Sequence, residues 1–162
     1  MKSRTVTVER TIPAPPQVVF DWLSTVTNYT ASPLVLAAKL LTPGHAAPYG
    51  EGARRAVTSA LSWFEEEITG YDPPHSFDYR IRRSVPSIRH DHGRVEFYPH
   101  RDGTTVVWAS TFAVTAPVLG AALTAAAAPL IARTFAGLLA AANRALTTEL
   151  PEARRQHPTK RT

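Results

Sequence analysis

Two short segments carry the side chains best suited to moving protons. Glu65-Glu66-Glu67 sets three consecutive carboxylates inside an apolar run, and His90-Asp91-His92 sets two imidazoles two residues apart, a spacing that puts both on one face of a strand. Acid and base chemistry on an apolar substrate needs groups whose pKa values burial has moved toward neutrality. Glu66 with His92, assisted by Tyr79, is the set that could serve a cyclisation or a dehydration. The competing reading leaves all three glutamates solvated, or paired across the sheet with Arg80, Arg82 or Arg83. Two imidazoles at this spacing also suit a metal, but a third ligand would have to come from elsewhere, and no metal or cofactor is expected. The chain has no Gly-x-Ser-x-Gly elbow, Walker loop, His-Glu-x-x-His helix or dinucleotide fingerprint.

Which of these groups turns inward depends on strand register. Ser62 to Tyr71 and Ser76 to Val85 read as a hairpin around Asp72-Pro-Pro-His75. A four-residue loop there places Phe77, Tyr79 and Ile81 beside Gly70, Ile68 and Glu66, so Glu66 faces inward; a slip of one residue substitutes Glu65 or Glu67. Arg89 to Tyr98 and Thr104 to Thr115 form the next hairpin, with Asp102-Gly103 as its turn. That register pairs Phe97 with Trp108 and Val95 with Ser110, on one apolar face with Val106, Phe112 and Val114. Gly93 is expected to hold a bulge that aims His92 into the interior.

Around these hairpins the pattern is a strand over Thr5 to Ile12, then a helix through Gln17 to Leu23 opened by Pro15 or Pro16. A short helix or turn follows at Tyr29 to Pro33, then strands at Val35 to Leu41 and Ala53 to Thr58. A long Ala-rich helix runs from about Pro117 to Glu149, with a kink or break expected at Pro129. This order is α+β, an antiparallel sheet wrapped around one helix.

The 162 residues suit one domain over 1–150, with residues 151–162 a basic and disordered tail. The net charge of +5 comes largely from Arg154, Arg155, Lys160 and Arg161 in that tail. No basic stripe with interleaved aromatics crosses the body, so no nucleic-acid partner is expected. Without cysteine there are no disulfides or thiolate sites. The start lacks the continuous apolar stretch of a signal peptide, and the expected location is cytoplasmic. Val106 to Ala132 has no charged residue and is long enough for a membrane span. Its first part alternates as a strand and two prolines interrupt it, so an integral membrane protein is not expected.

Trp63-Phe-Glu-Glu-Glu-Ile-Thr-Gly-Tyr-Asp-Pro-Pro-His-Ser-Phe-Asp-Tyr-Arg-Ile81, His92-Gly-Arg-Val-Glu-Phe-Tyr-Pro99 and Gly103-Thr-Thr-Val-Val-Trp108 together resemble the polyketide cyclase/dehydrase branch of the START-like, Bet v 1-like (SRPBCC) superfamily. The resemblance covers nearly the whole chain and implies a helix-grip fold around a pocket for lipids, polyketides or similar apolar molecules. It does not separate carriers and sensors from enzymes. The expected function is to bind a small hydrophobic or amphipathic ligand between sheet and final helix. Trp22, Ile68, Tyr79, Phe97, Trp108, Phe112, Phe135 and Leu139 would line the pocket, with Glu66 and His92 as polar orienters. The alternatives are a cyclase or dehydratase using Glu66 and His92, and an interaction module that uses the exposed sheet face or a dimer contact such as a weak homodimer.

Overall fold

The computed structural model describes residues 2–155. Strand β1 (Arg4–Ile12) stops at a proline cluster, and α1 (Pro16–Ser24) opens on Pro16, where a missing N–H costs nothing because the first helical turn has no carbonyl to receive it. A 3-10 helix (Val26–Ala31) follows. Its Tyr29 hydroxyl donates to the Leu23 carbonyl at 2.8 Å and ties it back to α1. Six strands come next: β2 (Val35–Thr42), β3 (Arg54–Ser59), β4 (Trp63–Asp72), β5 (Ser76–Val85), β6 (Ile88–His100) and β7 (Gly103–Val114). The long α2 (Gly120–Arg155) closes the described chain.

All seven strands form one antiparallel sheet in the order β1-β7-β6-β5-β4-β3-β2. Five of its six junctions join strands consecutive in sequence, and the sixth sets β1 beside β7. The sheet curves around α2, which packs on β1 and β7, and this is the helix-grip architecture. Thr124 locks the start of α2 to the end of β7, since its hydroxyl accepts the Val114 N–H at 2.8 Å and donates to the Gly120 carbonyl.

The β6–β7 turn is Arg101-Asp102, one residue earlier than the Asp102-Gly103 read from sequence, with His100 opposite Gly103. Gly103 takes φ 135°, which a side chain would strain. Val95 therefore pairs with Trp108, and Phe97 with Val106. Because each partner moved by two residues, no side chain changed face: Phe97, Val106, Trp108 and Phe112 are all buried. In the β4–β5 hairpin Ile68 lies opposite Tyr79 and Glu66 opposite Ile81, as read from sequence. Phe77 instead faces Tyr71, because an extra residue on β4 shifts the register beyond Ile68.

The interior is filled unequally along the sheet. Phe20 of α1 reaches into the end bounded by the β4–β5 and β6–β7 turns. There it meets Tyr71, Phe77 and Phe97 edge-on, with ring centroids 5.2, 6.0 and 5.1 Å away. Among the described residues no side chain of α1 reaches the opposite end, which is bounded by the β3–β4 and β5–β6 turns and the start of α2.

Helix α2 runs without a break from Gly120 to Arg155, so Pro129 does not interrupt it and residues 151–155 continue the helix instead of beginning a tail. Residues 156–162 lie outside the described residues. Pro129 itself is exposed. Pro129→Ala restores a backbone hydrogen bond in the helix interior and is expected to add about 1 kcal/mol or more of stability. Calorimetry would then read a melting midpoint raised by roughly 2–4 °C; an unchanged midpoint would mean the helix loses nothing to the proline.

Candidate functional site

The unplugged end holds a cavity of about 720 Å³ between the sheet and α2. Phe112 and Trp108 of β7 form its floor, Ile81 and Ile88 one side, and Ile131 and Phe135 of α2 the roof. Trp108 and Phe135 stack directly on one another at its edge, with centroids 4.6 Å apart and planes inclined by 12°, and so close the cavity on that side. Small side chains such as Ala127 on this part of α2 leave space that larger ones would fill.

One wall is polar. The Ile81 N–H donates to His90 Nδ1 at 3.1 Å, which fixes the imidazole as the Nε2–H tautomer; Nε2 then donates to the Ser110 hydroxyl at 3.0 Å. Trp108 Nε1–H donates to the Tyr79 hydroxyl at 2.9 Å, and the Tyr79 ring stacks on His90 at 5.4 Å. Tyr79 lies against Gly93, whose missing side chain makes room for the ring: a Cβ there would overlap it.

Burial sets the charge state of this wall. It lowers the His90 pKa to about 4, helped by the charges of His92 and Arg80, so the ring is neutral at pH 7. It raises the Tyr29 phenol to about 12 and holds the Tyr79 phenol well above its usual value. None of the three is poised near neutrality, where proton transfer is most efficient.

Behind Tyr29 and Tyr79 lies a charge that the sequence reading did not single out. Arg55 on β3 is fully buried, and its Nε donates to Glu66 Oε2 at 2.7 Å. Its Nη1 and Nη2 find no hydrogen-bond acceptor among the described residues. Aromatic faces surround the guanidinium instead, with Tyr29, Phe77 and Tyr79 centroids 5.4, 5.5 and 5.7 Å from Cζ. Burial opposes the charge on Arg55, yet Tyr29 and Glu66 outweigh it, and its pKa is held above the ordinary value. The neighbouring carboxylates are also paired, Glu65 with Arg54 and Glu67 with Arg82, the latter at 2.7 Å.

Of the residues expected at the pocket, Tyr79, Trp108, Phe112, Phe135 and Glu66 line the cavity. Ile68, Phe97 and Leu139 are buried in the packed core and Trp22 is partly buried against it, because Phe20 fills that end of the sheet. His92 is corrected: it is half-exposed and its Nε2 lies 3.0 Å from Asp78 on the outer face. The bulge sits at Asp91, between His90 and His92, and not at Gly93, which pairs regularly with Ser110. An extra residue there reverses the alternation, so the two imidazoles point to opposite faces and His90 is the inward one. They no longer share the face that a metal pair would need. Among the described residues no three His, Asp or Glu side chains gather as metal ligands.

The family described as polyketide cyclase / dehydrase and lipid transport matches residues 3–150. Among solved structures, the chain is similar to TTHA0849 from Thermus thermophilus, at 20% identity and TM-score 0.75 over 90% of this chain and 99% of that one. A START superfamily protein from Mycobacterium smegmatis is 14% identical with TM-score 0.69, over 90% and 97%. The ZhuI aromatase/cyclase from Streptomyces sp. R1128 is 18% identical with TM-score 0.68, over 99% and 100%. No curated protein matches the chain.

Proposed function

Since the chain belongs to the polyketide cyclase/dehydrase and lipid transport family, we propose that it binds one small hydrophobic or amphipathic molecule in the cavity under α2, as a carrier or sensor. The observation that carries this reading is a cavity of about 720 Å³, apolar on its floor and roof, with a hydrogen-bonding wall on one side. That volume suits a fatty acyl chain or a fused-ring aromatic. The wall of Ser110, His90, Tyr79 and Glu66 would orient one or two oxygens of such a ligand, while the apolar surfaces supply most of the affinity.

An apolar fluorescent probe is expected to bind with roughly micromolar affinity and to be displaced by fatty acids or polycyclic aromatics. Ala127→Phe projects a ring into the cavity and should weaken the probe about tenfold or more while the fold is kept. A probe that finds no site, or binds the two proteins equally, would sink the proposal.

One observation favours a second reading, a cyclase or dehydratase. Glu66 does face inward beside Tyr79, in a fold shared with the ZhuI aromatase/cyclase. The pairing of Glu66 with Arg55 and the pKa values of His90 and Tyr79, far from neutral, favour binding over proton transfer. Incubation with poly-β-keto or β-hydroxy thioesters separates the two readings. Product from the wild type, lost about a hundredfold in Glu66→Gln with the probe still bound, would establish the enzyme.

A further inference from the structure

The charge-free stretch from Val106 to Ala132 is only partly explained by the fold. Its first half is β7, alternating and buried. Its second half begins α2, and the most apolar 18-residue window within Gly120–Thr148 has a mean hydropathy of 1.5, with only 22% of its residues fully buried. The half-buried Ala127, Ile131, Thr134 and Phe135 face the cavity, while Leu123, Ala126 and Leu130 on the same helix are exposed to water.

Those side chains belong to a larger surface. Leu61 in the β3–β4 turn is 78% exposed, Val85 at the end of β5 is 65%, and Val118 and Leu119 just before α2 are 90% and 62%. The Thr115 N–H donates to the Ser87 carbonyl at 3.0 Å, which ties the start of the α2 segment to the β5–β6 turn. Leu34, Leu61, Pro86 and Leu130 are exposed and also line the cavity, so they mark its mouth. Four chain segments thus set an apolar rim around one opening, where isolated exposed apolar residues would be scattered.

The charges around this rim have one net sign. Arg82, Arg83 and Arg89 flank the β5–β6 turn, and Arg133 stands one helical turn beyond Leu130 on the cavity wall. Arg82 is paired with Glu67 and Arg89 with Asp91, while Arg83 and Arg133 have no carboxylate within ion-pair distance among the described residues. A twofold contact between two copies through this patch would set Arg83 and Arg133 against their own images. Apolar side chains ringed by arginines instead fit an interface with acyl chains beneath a layer of anionic headgroups.

We propose that this end of the protein docks on an anionic lipid bilayer, with Leu61, Val85, Val118 and Leu119 entering the headgroup boundary, Arg83 and Arg133 meeting the lipid phosphates, and the cavity mouth opening onto the membrane. The docking stands on the exposed surface alone. That a ligand passes through the mouth rests on the binding function proposed above.

Co-flotation of the full chain with phosphatidylcholine vesicles, with and without about one third phosphatidylglycerol, tests this. Binding is expected on the anionic vesicles only, and to weaken as salt rises. Val85→Glu/Val118→Glu/Leu119→Glu, at three positions off the cavity wall, should lower it about tenfold or more. Arg83→Gln should lower it roughly fivefold. Probe binding measured without vesicles should be unchanged in both variants, so loss of docking and loss of the ligand site are read separately. No flotation of the wild type overturns the proposal. So does equal flotation on neutral vesicles, or equal flotation of the triple variant, which would place the attachment elsewhere, as in the basic residues after Leu150. A dimer seen by light scattering and dissolved by the triple variant would assign the patch to a second copy of the chain and likewise overturn it.

Discussion

Arg55→Met, with Glu66 left in place, is expected to lower the free energy of unfolding by about 3–5 kcal/mol, because it strands a carboxylate that reaches water only through the cavity. The buried guanidinium is held by one hydrogen bond to Glu66 and by three aromatic faces, so few other groups stand to compensate. Arg55→Met/Glu66→Leu removes both charges and should recover most of the loss, since well-packed apolar residues often match or exceed a buried pair. Urea unfolding of the two single variants and the double gives the coupling directly. A near-neutral Arg55→Met would mean that Glu66 is hydrated in the cavity and that the pair contributes little to the fold.

Stability is also expected to fall as pH drops from about 6.5 to about 4, in a step that depends on His90. In the folded chain burial holds His90 at about 4, while in the unfolded chain it returns to about 6.5. Between those values the unfolded state binds the extra proton, so the contribution is fully present above pH 6.5 and lost as pH falls toward 4. The full difference amounts to about 3 kcal/mol. Tyr79 stacks on the ring and Ser110 takes its Nε2–H, the charges of His92, Asp91 and Arg80 act on it from farther off, and Nδ1 cannot accept a proton without releasing the Ile81 N–H. His90→Gln offers the same acceptor and donor without titrating. Its unfolding midpoint should therefore change less than the wild type's between pH 7 and pH 4.5, and identical profiles would remove His90 from the pH response.

Several features of the site were readable in the chain. The alternation of Phe77, Tyr79 and Ile81 against Ile68 and Glu66 set the inward face of that hairpin, and Glu66 lies on it. Arg55 was readable too. The short turn of Ala60, Leu61 and Ser62 between β3 and β4 brings Arg55 opposite Glu66, and Arg55 sits at period two between Ala53 and Val57, which are both buried. A basic residue on an apolar face opposite an acidic one is the signal of a buried pair. Periodicity alone does not single it out, because Arg54 and Arg55 are adjacent and Ala53, Ala56 and Val57 around them are all buried.

The sequence by itself determined the element order, the helix-grip architecture and the face of most strand residues. These follow from local periodicity, turn chemistry and resemblance, and the family match and the structural similarities agree with them. Only the tertiary structure decided that His90 and not His92 turns inward, because one extra residue at Asp91 switches the face of Ile88 to His90 relative to His92 and the rest of β6, and nothing local marks its position. It also decided which inward residues meet a cavity and which meet a neighbour. Phe97 and Phe112 alternate on the same strand pair and look alike in sequence, yet Phe20 arrives from α1 to pack on the first, and α2 offers the second mainly small side chains. Alternation gives the direction of a side chain, but whether space remains in front of it depends on how a distant element fills the groove.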